Sequence, residues 1–172
     1  DLLAVMPTGA GKSVCFQVPA LTMPGITLVI SPLISLMQDQ VRELLAAGIP
    51  AAYFNRSLSA GQYRTALARM RQGQYRIVYA APERLTAPAF LDICRELEIS
   101  LIAVDEAHCV SQWGQDFRPS YLKIREFIDS LPKRPPVAAF TATATTPVRK
   151  QIISLLGLQN PAQVVTGFDR PN

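Results

Sequence analysis

Six short apolar runs alternate along this chain with amphipathic segments, and few folds accept that alternation. The runs occupy residues 2–6, 26–30, 51–54, 76–80, 100–104 and 137–140. Several are apolar at consecutive positions, leaving no polar face for water, as in parallel strands covered on both sides. The segments between them suit crossover helices. The pattern predicts an α/β domain with a mostly parallel sheet between helix layers. A length of 172 residues supports one such core and not two.

End signals place the helices. Ser31-Pro32 sets a capping hydroxyl before a proline suited to a first helical turn. Ile34, Met37, Val41, Leu44 and Leu45 then fall on one face, and Gly48 and Pro50 end the helix. Ser59 and Gln62 have capping-box spacing, followed by a stripe of Tyr63, Ala66, Leu67 and Met70 and a stop at Gly73. Phe90, Leu91, Cys94 and Leu97 form another stripe, and Tyr121, Ile124, Ile128 and Leu131 a further one. Pro147 opens a last helix that ends at Gly157. These stripes read as core.

After the first run comes Met6-Pro7-Thr8-Gly9-Ala10-Gly11-Lys12-Ser13, which reads as a phosphate-binding loop with methionine in place of the first glycine. Gly9 and Gly11 permit a tight turn with inward N–H groups, and the helix opening near Lys12 aims its positive end at an anion. In this reading Thr8, Gly9, Ala10, Gly11, Lys12 and Ser13 cradle the nucleotide. Lys12 reaches the β- and γ-phosphates and Ser13 ligates Mg²⁺.

The run 101–104 ends in Asp105-Glu106-Ala107-His108, placing two acids at the carboxyl end of a buried strand, where open α/β sheets bind ligands. Asp105 is the second candidate Mg²⁺ ligand, and Glu106 the group that orients the attacking water. An acidic helix start explains this motif alone, but not its pairing with the phosphate loop. His108, the only histidine, sits close enough for a hydrogen bond across the cleft.

Three more turns follow strands: Ser31-Pro32-Leu33, Ala81-Pro82-Glu83-Arg84 and Thr141-Ala142-Thr143-Ala144. Such turns can hold a phosphodiester backbone without reading sequence. The net charge is +4, and no acid lies between Glu43 and Glu83, where Arg56, Arg64, Arg69, Arg71 and Arg76 fall. That stretch either attracts a polyanion or forms a solvated helix face. Cys15, Cys94 and Cys109 show no C-x-x-C spacing, which argues against zinc or disulfides and fits a reducing compartment. No apolar run approaches the roughly 18 residues of a membrane-spanning helix.

Taken in order, P-T-G-x-G-K-S, S-P-L-I-S-L-M-x-D-Q, A-P-E-R-L, D-E-A-H-C, S-Q-W-G-x-D-F-R-P, T-A-T-A and F-D-R-P-N resemble the motifs of RecQ-family DNA helicases over nearly the whole chain. Asp-Glu-Ala-His alone marks only the wider superfamily two, whereas residues 111–119 are similar to the aromatic-rich loop of RecQ enzymes. The resemblance implies a RecA-like, ATP- and Mg²⁺-dependent motor lobe of a 3′-to-5′ helicase. It makes Lys12, Asp105 and Glu106 catalytic and links His108 to Thr141 and Thr143. Ser31, Gln112, Trp113, Phe117 and Arg118 become coupling or DNA-contacting residues. The implied partner is DNA, single-stranded and at duplex junctions. The implied setting is intracellular: cytoplasm or nucleoid in a bacterium, the nucleus in a eukaryote, with roles in repair and recombination.

Three positions depart from the family pattern. Ala10 replaces a glycine and requires a negative φ; Gln115 replaces a histidine and Ser120 an acid. The expected domain spans 1–167, cut short at its N-terminus, with 168–172 starting a linker to a second motor lobe that supplies an arginine finger. An upstream glutamine element would bind adenine. Two other readings share the motifs: an RNA-directed helicase lobe, disfavoured by residues 113–119, and a non-hydrolysing regulatory module, disfavoured by intact Lys12, Asp105 and Glu106.

Overall fold

The computed structural model describes residues 1–114 and 116–166. Its strands are β1 (Leu2–Val5), β2 (Ile26–Ile30), β3 (Ala51–Phe54), β4 (Ile77–Ala80), β5 (Ile99–Val104), β6 (Val137–Thr141) and β7 (Ala162–Val165). The helices are α1 (Lys12–Thr22), α2 (Ile34–Ala46), α3 (Ala60–Arg71), α4 (Pro88–Glu96), α5 (Lys123–Asp129) and α6 (Thr146–Leu156). All strand pairs are parallel, and the sheet runs β3-β4-β2-β5-β6-β1-β7.

Successive strand side chains point to opposite faces, and each face has its own core. Phe16 and Ala20 of α1 and Met37, Val41 and Leu44 of α2 pack with Val29, Ala103 and Phe140 on one side. On the other, α3 to α6 bring Leu67, Phe90, Phe127 and Ile152 against Leu28, Ile102 and Ala139. The predicted sheet between helix layers is therefore present.

Helix ends show where local chemistry decided and where it did not. Ser59 caps α3, its hydroxyl accepting from Gln62 N while Gln62 Oε1 accepts from Ser59 N. Gly73 and Gly157 stand at φ 68° and 65°, a region only glycine enters cheaply. Ser31, by contrast, does not cap α2. The cap is Leu33, and Ser31 is buried with its hydroxyl on Asp105. Its β2 register, continued by Ser31 N to Ala80 O, carries that side chain inward before the helix begins. The segment at Tyr121 also differs, opening as a 3₁₀ turn (Pro119–Leu122) before α5.

Strand β7 is not among the six predicted. All four of its side chains are exposed, so its sequence has no buried periodicity to read. Main-chain pairing to β1 holds it, extended by Thr166 N donating to Val5 O. The expected linker 168–172 and its motif lie outside the described residues.

Candidate functional site

Five of the motif turns follow the carboxyl end of a strand, so the parallel sheet gathers them at one pole. In spatial order β4 leads into Ala81-Pro82, β2 into Ser31-Pro32, β5 into Asp105, β6 into Thr141 and β1 into the phosphate loop. Ladder bonds continue past the strand ends and fix where each loop departs: Asp105 N donates to Ile30 O and Met6 N to Thr141 O.

In the phosphate loop Gly9 and Gly11 adopt φ 82° and 81°. A Cβ at either would meet nothing within 4 Å, so conformation and not space demands glycine. Ala10 is not among the positive-φ residues, which satisfies the condition on its replacing a glycine. Lys12 opens α1, where first-turn N–H groups have no intrahelical partner. Lys12 Nζ rests on Met6 O at 3.3 Å, folded back on its own loop. The hydroxyl of Ser13 accepts from Gln40 Nε2 of α2 at 2.6 Å, a contact that no sequence pattern announces.

Asp105 is 8% exposed. Ser31 Oγ donates to its Oδ2 at 3.5 Å, Glu106 N to its Oδ1 at 2.9 Å, and Tyr121 Oη to its main-chain oxygen at 2.8 Å. Burial first, and then the Glu106 charge, push its carboxyl up to about 6, against the Glu106 N–H, Lys12 and Ser31. Glu106 takes φ 47°, ψ 45°, a left-handed conformation costing a non-glycine residue about 1–2 kcal/mol. The acids thus do not start a helix in the ordinary way. A strained turn holds the Glu106 carboxylate 3.3 Å from His108 Nδ1. His108 Nδ1 also lies 2.9 Å from Thr141 Oγ1, which donates to Thr143 O at 3.1 Å. With its proton committed to Thr143, Thr141 accepts, so Nδ1 carries hydrogen and serves both Thr141 and Glu106.

The aromatic segment packs back on this turn. A Cβ on Gly114 would come 2.7 Å from His108 O, so only glycine permits the approach. Trp113 N donates to Ser111 Oγ at 3.2 Å, and buried Ser111 bonds Gln151 of α6, another residue sequence reasoning missed. Trp113 is 69% exposed and borders two clefts, one with His108, Thr143 and Thr145, the other with Pro147, Lys150 and Gln151. It is no buried anchor. Phe117 is half-buried and Gln112 exposed; Gln115 lies outside the described residues. Arg118 holds Asp116 at 3.0 Å and reaches Pro32 O at 3.4 Å, tying this segment to the turn after β2.

Beside that turn lies a cleft of about 460 Å³ bordered by Pro32, Ala81, Arg56, Arg84 and Arg118, with Glu83 the one acid among the described residues that line it. Arg56 therefore joins the site. From the same acid-free stretch, Arg71 instead pairs with Glu96 at 2.9 Å on an exposed surface.

Ser13 and Asp105 offer hard oxygen donors, and a cation would offset the buried carboxylate, which fits Mg²⁺. Ligand atoms of His108, Cys109 and Asp116 also lie within 4.8 Å of one another. That group suits a metal poorly. Burial raises the Cys109 thiol to about 12, and the Arg118 guanidinium already occupies Asp116. Among the described residues no helix is long and apolar enough to cross a membrane.

A model of the DEAD/DEAH box helicase family matches residues 1–151. The chain is 49% identical over 168 residues to the ATP-dependent DNA helicase RecQ of Bacillus subtilis (strain 168), spanning 98% of this chain and 28% of that protein. It is 44% identical over 172 residues to the RecQ of Pasteurella multocida (strain Pm70), spanning 100% and 27%. With the bifunctional 3′-5′ exonuclease/ATP-dependent helicase WRN of Mus musculus it shares 45% identity, over 100% of this chain and 12% of that one. The chain thus spans about a quarter of the RecQ relatives' length. The Pyrococcus furiosus Hef helicase domain superposes with a TM-score of 0.72 at 21% identity, over 98% of this chain and 35% of its own, and shows the RecA-like fold. A phosphate loop, an acidic strand end and a hydroxyl-bearing strand end on three neighbouring strands, matched in sequence through residue 151, place the chain in the DEAD/DEAH box helicase family.

Proposed function

We propose that this chain is the ATP-binding motor lobe of a RecQ-type 3′-to-5′ DNA helicase, coupling ATP hydrolysis to movement along single-stranded DNA and to opening of duplex junctions. The observation that carries the reading is the order β5-β6-β1. It sets Asp105 and Glu106, then Thr141, then the phosphate loop side by side, with the Trp113 segment fastened to the same turn. Residues 1–167 form the lobe in this reading, 168–172 begin a link to a second lobe, and the protein acts inside the cell on DNA.

In the proposed cycle Gly9 to Ser13 receive the phosphates, and Lys12 leaves the Met6 carbonyl to meet their charge. Ser13 and Asp105 would hold Mg²⁺, which when bound would supply positive charge against that developing on the phosphates. Glu106 orients the attacking water, and His108 steadies the Glu106 carboxylate while bonding Thr141. Arg56, Arg84 and Arg118 line the cleft where a phosphodiester backbone passes, while Ser31 and Arg118 relay contact there to the acids. Trp113 stacks on bases at the far side of the acids.

The test is ATP turnover by the full-length protein with single-stranded DNA, with RNA and with neither. DNA should stimulate hydrolysis, RNA should not, and Lys12→Ala should abolish turnover in all three. Equal stimulation by RNA favours the RNA-directed reading. Unchanged hydrolysis in Lys12→Ala removes the phosphate-loop assignment.

A further inference from the structure

Both prospective metal ligands are gripped by one segment, the β2–α2 connection and its helix. Ser31, at the end of β2, holds Asp105. Nine residues on, Gln40 holds Ser13, and its 2.6 Å contact joins helices 27 residues apart in sequence. Gln40 sits three residues after buried Met37 and next to buried Val41, on the flank of the stripe that fastens α2 to the sheet. Its backbone is therefore fixed by the core, and its half-buried amide has little freedom once bonded.

We propose that Gln40 is a positioning residue for the metal site, setting the orientation of the Ser13 hydroxyl and with it the affinity for Mg²⁺. The inference rests on the reading of Ser13 as a metal ligand. A serine oxygen has two lone pairs. The Gln40 amide N–H occupies one and fixes the side-chain rotamer, leaving the other for a cation. Without that bond Ser13 samples its staggered rotamers, and ligation must carry the ordering cost. Groups that orient metal ligands through hydrogen bonds typically govern about 10- to 100-fold in affinity or activity. Because α2 begins at Ile34, which borders the arginine-lined cleft, displacement of that turn would also reach Ser13 through Gln40.

The experiment measures binding of mant-ADP to the full-length protein, once with MgCl₂ and once with EDTA. It compares wild type, Ser13→Ala, Gln40→Met and Gln40→Glu, with melting temperatures recorded in parallel. Gln40→Met keeps the reach and packing of glutamine but cannot bond Ser13. Gln40→Glu keeps the side-chain length and restores a hydrogen bond with its direction reversed, the carboxylate accepting from the Ser13 hydroxyl. The expected result is that Gln40→Met loses about 10-fold of the Mg²⁺-dependent tightening. Its affinity in EDTA should stay unchanged, and Gln40→Glu should retain most of the tightening. If Ser13→Ala loses the tightening and Gln40→Met keeps it, Gln40 does not position the ligand, although the metal reading stands. Weakening of Gln40→Met equally in MgCl₂ and EDTA, or a collapse of its melting temperature, makes the contact a mere tie between helices and overturns the proposal. Retention of the full tightening by Ser13→Ala overturns the metal reading and the inference with it.

Discussion

Burial and the neighbouring Glu106 charge raise the Asp105 carboxyl from 3.8 to about 6, so its charged form is held at a cost to folding. A folded-state value above the unfolded one means the native chain binds this proton more tightly. The resulting stability is complete below pH 3.8 and is lost as pH rises through 6. Asp105→Asn removes the buried charge. The variant should exceed wild type in stability at pH 7 by roughly 2–3 kcal/mol, because a tenfold difference in proton affinity between the folded and unfolded chain is worth about 1.36 kcal/mol. The gap should close toward pH 4, and Mg²⁺-dependent turnover should vanish. Melting curves at pH 4, 5, 6 and 7 check this, and a gap independent of pH would contradict it. Some residues at this scale are legible in the sequence and others are not. Lys12, Ser13, Asp105, Glu106 and His108 stand in spaced motifs whose chemistry can be read directly. Ser31 is readable as a polar turn residue but not as a buried partner of Asp105, because that depends on β2 lying beside β5. Gln40 closes the S-P-L-I-S-L-M-x-D-Q motif, but its partner Ser13 is legible only once α1 and α2 are placed, and Gln151 looks like an ordinary polar position on an amphipathic helix.

At the scale of elements, the 3₁₀ turn Ala107–Val110, the Trp113 segment and α6 form one connected piece. Gly114 seats on His108 O, Ser111 bonds Gln151, and α6 begins directly beyond the Thr141 strand. Two aromatic residues four apart in polar surroundings already point to a surface segment. The 69% exposure of Trp113 agrees, since so open a side chain contributes little to packing. Trp113→Ala in the full-length protein should therefore leave melting temperature and basal hydrolysis unchanged. It should remove most stimulation by single-stranded DNA, with a loss of about 1–3 kcal/mol in DNA affinity or coupling. Full stimulation in that variant, or its unfolding, would show the tryptophan to be structural. The six predicted strands are readable to within a residue at each end, because buried apolar side chains define them. The helix stripes mark the faces of α2 and α5 but not their starts, which fall two residues later than Ser31 as a cap and Tyr121 as a first stripe residue imply. Strand β7 escapes because main-chain pairing to β1 alone defines it.

For the whole molecule, the parallel sheet explains why motifs scattered from residue 6 to residue 145 share one edge: each crossover returns the chain to the same pole. The clefts bordered by Arg56 and by Trp113 lie beside the turns of that edge. If a second lobe must close on the nucleotide and contribute an arginine, the 172-residue chain by itself should not unwind a forked duplex with ATP. A trans arginine is worth roughly 10³–10⁵ in rate in related phosphoryl transfers. Processive unwinding by the purified chain would refute the two-lobe architecture.

Everything proposed for this edge depends on its hydrolysing ATP through Glu106, and Glu106→Gln isolates that step. Turnover by the full-length variant is measured at saturating MgATP and single-stranded DNA, alongside nucleotide affinity. The amide keeps the shape of the side chain and a hydrogen-bonding oxygen for His108 Nδ1 but loses the charge that polarises water. MgATP binding should stay within a few-fold of wild type, and hydrolysis should slow by about 10²–10⁴. Turnover near the wild-type rate would mean that Glu106 does not activate the water and that the chemistry of this edge lies elsewhere.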